Sequence, residues 1–126
     1  MLLQLASLTL LSTIIIGHPL DGVWTGQYTD VNPPKTWDVT LIANHDYRVY
    51  SVIYNHGFCQ TAWIAQNGYG LQAPTLFREK LVTGPCGEGS YPRLDYNGTL
   101  TFRRGSSPDS ELLGTGHLVH QTNAIG

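Results

Sequence analysis

Histidine and cysteine would be the most telling residues here, since both bind metals and both serve in nucleophilic catalysis. The chain has five histidines and two cysteines. His117 and His120 lie in a stretch that reads as a strand, at a spacing that turns them to opposite faces, so they do not share one ion without a bend. His45 and His56 stand in turn-like sequence beside Asp46 and Asn55, where polar residues are expected on other grounds. Cys59 and Cys86 show no CxxC or Cys/His zinc spacing. No Gly-x-Ser-x-Gly elbow occurs, and a Cys–His nucleophile would need a free thiol. Carboxylates are few and scattered. The sequence therefore predicts no metal, no cofactor and no enzyme.

The elements that would position these residues are strands. From residue 22 onward, short apolar-alternating runs are separated by turn signals, the pattern of an all-β sandwich or barrel. Gly22 to Thr29 is the first run. In the next, Thr36 to Ala43, Trp37, Val39 and Leu41 share one face while Asp38 and Thr40 share the other. Runs at Tyr47 to Tyr54, Phe58 to Gln66, Thr75 to Val82, Ser90 to Tyr96, Thr99 to Arg103 and Leu112 to His120 follow. Turns are expected at Asn44-His45-Asp46 and Asn55-His56-Gly57, and Asn67-Gly68 and Asn97-Gly98 carry the type I′ hairpin signature. Asn97-Gly98-Thr99 also matches a glycosylation acceptor, which the turn explains without a glycan. Pro33-Pro34 and Ser106-Ser107-Pro108 mark longer loops. An antiparallel meander of about eight strands avoids exposed edges by closing, so the expected fold is a small up-and-down β-barrel. In that frame Glu79, between Arg78 and Lys80, reads as barrel surface or as half of a cross-strand ion pair.

Composition narrows the classes further. Charged residues are only 13% of the chain, which excludes a charged disordered tail and a coiled coil rich in Glu and Lys. A formal charge of −2 offers no electrostatic footprint for nucleic acid. Residues 1–17 carry no charge, and their apolar run suits a secretory signal peptide, leaving a single domain over 18–126. Its lack of an n-region cation keeps two other readings open, a retained anchor over residues 2–16 and a structural segment. Export would let Cys59 and Cys86 pair; the alternative is two unrelated thiols.

Leu20-Asp21-Gly22-Val23-Trp24-Thr25-Gly26-Gln27-Tyr28 resembles the first strand of calycin-type barrels, the lipocalin, fatty-acid-binding and avidin group. There a Gly-x-Trp sits at the barrel floor, so the resemblance implies structural roles for Gly22 and Trp24, with one cation packed across the indole, Arg78 being the candidate among Arg78, Arg103 and Arg104. A strand Cys59, the Leu76–Gly89 stretch with Cys86, and Gly98-Thr99-Leu100-Thr101-Phe102 follow in order. This series is similar to small extracytoplasmic β domains of actinobacterial secreted proteins and of some bacterial Ser/Thr kinase ectodomains. It departs at Gln60-Thr61, where that pattern has a Gly-containing continuation. The resemblance implies fold, disulfide and exterior location, and no ligand.

Aromatic residues supply the remaining signal. Either they fill core and girdle, or Trp37, Tyr50, Tyr54 and Trp63 line a ligand cup. Tyr47 and Tyr50 lie on opposite faces, so at most one looks inward. The expected function is a non-enzymatic, extracytoplasmic module binding a small apolar ligand or a partner protein. The alternatives are a secreted proteinase-inhibitor-like barrel, with His18-Pro19-Leu20 as its arm, and a membrane-tethered accessory subunit if residues 2–16 are retained.

Overall fold

The structure, a computed structural model, describes residues 20–43, 48–66 and 75–121. The leader, the turns at Asn44-His45-Asp46 and Asn67-Gly68, and Tyr47 lie outside the described residues. Eight strands run in chain order: β1 (Gly22–Val31), β2 (Pro34–Ala43), β3 (Val49–Tyr54), β4 (Cys59–Ala65), β5 (Thr75–Thr83), β6 (Tyr91–Leu94), β7 (Thr99–Arg103) and β8 (Leu112–His120). Each pairs antiparallel with the next, and β8 returns to β1, closing the barrel. The all-β, up-and-down architecture expected from the alternating pattern is the one formed.

Alternation explains how the wall buries one face. Val39 and Leu41 on β2, Tyr50, Val52 and Tyr54 on β3, and Leu100 and Phe102 on β7 are buried at every second position. Removing each of these large apolar side chains from water stabilises the fold by roughly 1.5–3 kcal/mol.

At the β3–β4 junction His56 and Gly57 have φ of 57° and 109°, and the Phe58 amide donates to the Asn55 carbonyl at 3.3 Å. The type I′ geometry, with positive φ at both central residues, therefore occurs at His56-Gly57. At Asn97-Gly98 only Gly98 has positive φ, and its amide donates to the Asp95 carbonyl at 2.9 Å. That connection is a longer turn ending in a left-handed glycine, because Tyr96 and Asn97 keep ordinary φ. The Pro33-Pro34 loop is also shorter than expected: Val31 pairs with Pro34, leaving only Asn32 and Pro33 between the strands. Pro34 fits as the first residue of a strand, where its missing N–H costs no ladder bond.

One end of the barrel is a floor. Trp24 is buried, its indole N–H donates to the Leu20 carbonyl at 2.9 Å, and the His120 ring meets it edge-on at 5.0 Å. Gly22 has φ of +111°, and a Cβ there would lie 2.6 Å from His120 Nε2. The Gly-x-Trp motif thus has a steric cause. The ring beside Trp24 is that of His120, whereas Arg78 is exposed on the outer face opposite Ile64. The expected Arg78 packing is corrected accordingly: residue parity on β5 points Phe77 and Glu79 inward and Arg78 out.

The other end is tied together by a disulfide between Cys59 and Cys86, 27 residues apart. It joins the start of β4 to the β5–β6 loop. That loop also docks on β5: the Glu79 amide donates to the Ser90 carbonyl at 2.9 Å and the Gly89 amide to the Glu79 carbonyl at 3.1 Å.

Candidate functional site

The ends of β1, β3, β5 and β7 surround the mouth, above the packed core. A cavity of about 240 Å³ opens there. Its walls are Tyr28, Trp37, Tyr54, Phe102 and Leu113, and the disulfide-held loop contributes Cys86, Gly87, Glu88 and Ser90. Asp30 and Glu79 complete it.

Each wall residue has a traceable cause. The tight β1–β2 hairpin pairs Tyr28 with Trp37 and Asp30 with Lys35, carrying one aromatic pair and one carboxylate to the mouth. Tyr28 lies against β8 at Gly114, where a Cβ would be 2.1 Å from the phenol ring. The same ring sits 4.2 Å from that of Phe102. A register shift between Phe102 and Arg103 leaves Leu113 unpaired on β8, and this bulge re-aims it into the cavity.

Glu79 is the central polar residue. It is buried in the barrel, not on the surface, because it shares parity with Thr75 and Phe77. Its Oε2 accepts from Thr61 Oγ1 at 2.9 Å, from Trp63 Nε1 at 3.0 Å and from the Tyr54 hydroxyl. Its Oε1 accepts from Ser90 Oγ at 2.9 Å. Four donors from two strands and the mouth loop thus satisfy one buried carboxyl group, as burial requires. The cross-strand ion-pair expectation fails too: the partners across the strands are the neutral donors Tyr54, Thr61 and Trp63.

Asp30 is held similarly. Its Oδ2 accepts from Trp37 Nε1 at 2.9 Å, and its Oδ1 accepts from the Tyr28 hydroxyl. Burial pushes the Tyr28 phenol well above the usual tyrosine range, and the hydrogen bond to Asp30 and the charges of Asp30 and Glu79 push the same way. Burial likewise raises Tyr54, followed by the charge of Glu79 and the hydrogen bond to it, outweighing Trp63 and Thr61. Both phenols keep their protons in the folded protein after free tyrosines, at about 10, have lost theirs. Above that pH the unfolded chain binds fewer protons than the native one, so stability falls as pH rises. In an alkaline titration the phenolate absorbance of at least two of the seven tyrosines is expected to appear only together with loss of the β-sheet signal. Ionisation of all seven in a protein that keeps its circular dichroism would contradict this.

Of the four residues expected to line a cup, Trp37 and Tyr54 border the cavity, their rings 6.0 Å apart. Tyr50 and Trp63 do not. Both are fully buried lower in the barrel, packed on Phe77 at 5.1 and 5.3 Å between ring centres. Tyr28, Asp30, Glu79, Phe102 and Leu113 were missed. Strand parity with Phe77 was the available signal for Glu79. Among the described residues no three His, Cys, Asp or Glu side chains are grouped to hold a metal ion. Comparison with family models, curated proteins and solved structures finds no match to this chain.

Proposed function

We propose that this protein is a non-enzymatic small-molecule-binding barrel of calycin-like type, working outside the cytoplasm, with its ligand in the mouth cavity. The observation that carries the reading is the cavity itself: a recess with four aromatic walls and a few fixed polar groups, which is how small-molecule sites are generally built. Its volume, about 240 Å³, lies just below the roughly 300–1,000 Å³ typical for drug-sized ligands, so the guest is a molecule of one ring or two fused rings. The disulfide supports an oxidising compartment, and with it removal of residues 1–17 as a signal peptide.

Native mass spectrometry of protein taken from its own host tests compartment and cargo together. The expected mass lacks the leader and two hydrogens and carries a small-molecule increment. Retention of Met1 with no guest would overturn the reading in favour of a membrane-tethered structural module. In vitro, indole is expected to bind saturably with unit stoichiometry. Leu113→Trp, which fills the recess, should abolish that binding without unfolding the barrel.

A second reading has its own observation. Val31, Phe58 and Val82 are about half exposed around the mouth, an apolar rim of the kind partner proteins cover. Recovery of a stoichiometric protein complex in the same native spectrum would favour it.

A further inference from the structure

We propose that the mouth cavity selects an organic cation, a single-ring body bearing a protonated amine, with its ammonium directed to Asp30 and to Oε1 of Glu79. This rests on the ligand-binding reading above and names the ligand class.

Three carboxyl residues, Asp30, Glu79 and Glu88, border the recess, and no Lys, Arg or His does. The groups that hold Asp30 and Glu79 in place, namely Tyr, Trp, Thr and Ser, are all neutral donors, so they orient the carboxylates without cancelling their charge. Burial is the main reason both phenols stay protonated, and the acids add to it, Asp30 and Glu79 at Tyr28 and Glu79 at Tyr54.

Acceptor capacity is unevenly left over. A carboxylate offers about four lone-pair sites. Oε2 of Glu79 already takes three donors, whereas its Oε1 and both oxygens of Asp30 take one each. An ammonium brings three N–H donors and no acceptor, which suits what is unfilled. An anion would meet uncompensated like charge.

The walls point the same way. Trp37, Tyr54, Tyr28 and Phe102 present aromatic rings, whose faces attract cations. The protein already displays this affinity at the rim, where Lys35 Nζ lies 4.1 Å from the centre of the Trp37 ring. Lys35 is exposed and precedes the cavity on β2, so it competes with an incoming cation without filling the recess.

The test titrates the full chain calorimetrically with three probes of one shape: phenethylamine, phenethyl alcohol and hydrocinnamate. The amine is expected to bind at least about tenfold tighter than the alcohol, as a charge-assisted contact with cation–π support implies, and the carboxylate weakest. Asp30→Asn should bring amine and alcohol within about threefold of one another, and Lys35→Gln should tighten the amine alone. Equal binding of amine and alcohol, or preference for the carboxylate, overturns the cation assignment and leaves the binding barrel standing. An amine preference untouched by Asp30→Asn also overturns it, because the charge would then be read elsewhere. Failure of all three probes to bind, together with indole, overturns both readings. The probe series on the unaltered chain decides the matter even if a variant fails to fold.

Discussion

Glu79→Leu is expected to lower the unfolding free energy by about 3–5 kcal/mol, although it replaces a buried acid with an apolar side chain of similar size. The loss comes from the donors left behind. Tyr54, Thr61 and Trp63 all donate to Oε2 within the barrel. Each buried donor without an acceptor costs about 1–3 kcal/mol. The two hydroxyls can rotate, which softens their share. Trp63 cannot adapt so easily, since an indole N–H only donates and its ring is wedged against Phe77 and Phe102 at 5.3 and 5.6 Å. Glu79→Gln retains an acceptor oxygen and is expected to cost about 1 kcal/mol. Combining Glu79→Leu with Tyr54→Phe should cost less than the sum of the two alone, because removing the donor removes the penalty of orphaning it. Urea unfolding of these four variants beside the unaltered protein measures all of this. A Glu79→Leu midpoint equal to that of the unaltered protein would mean that the network stabilises nothing.

The second large effect belongs to the mouth. A Cys59→Ala/Cys86→Ala variant should lose about 2–4 kcal/mol under non-reducing conditions while keeping its β-sheet signature. The chain-entropy argument supplies the magnitude, since the bridge closes a loop across 27 positions. The structure adds a functional consequence. Cys86 anchors the segment that brings Gly87, Glu88 and Ser90 to the cavity, and Ser90 is one of the donors on Glu79. Without the bridge that segment is held by the Glu79 backbone pairs and by the bond from the Leu81 amide to Glu88 Oε1. Indole affinity should therefore fall along with stability, and the same should follow reduction of the natural protein. An unchanged unfolding midpoint would refute the stability claim. Unchanged affinity in a destabilised variant would separate the loop from the site.

The order of the strands and their approximate places could be read from residue types alone. Alternation in Trp37-Asp38-Val39-Thr40-Leu41 assigns each side chain to a face, and Gly, Asn and Pro break the chain between runs. Closure followed from the same pattern, since an eight-stranded meander buries its edges by joining first strand to last. The apolar leader favoured a Cys59–Cys86 bridge over two unrelated thiols, and the bridge is formed. Period-two alternation says which face a residue occupies but not how high it sits along the barrel axis. Height depends on the stagger between strands, which is a property of the closed sheet. That is why Trp37 and Tyr54 reach the mouth while Tyr50 and Trp63, equally inward, lie beneath it. Leu113 enters the recess only because a bulge breaks the alternation, and Asp30 does so only because the β1–β2 hairpin continues to Val31 and Pro34. Glu79 stood in the open, in step with Phe77, but a charged side chain on a strand reads as barrel surface or as half of a cross-strand ion pair. Only the assembled barrel brought Tyr54, Thr61, Trp63 and Ser90 to its carboxylate, turning an apparent surface charge into the centre of a site.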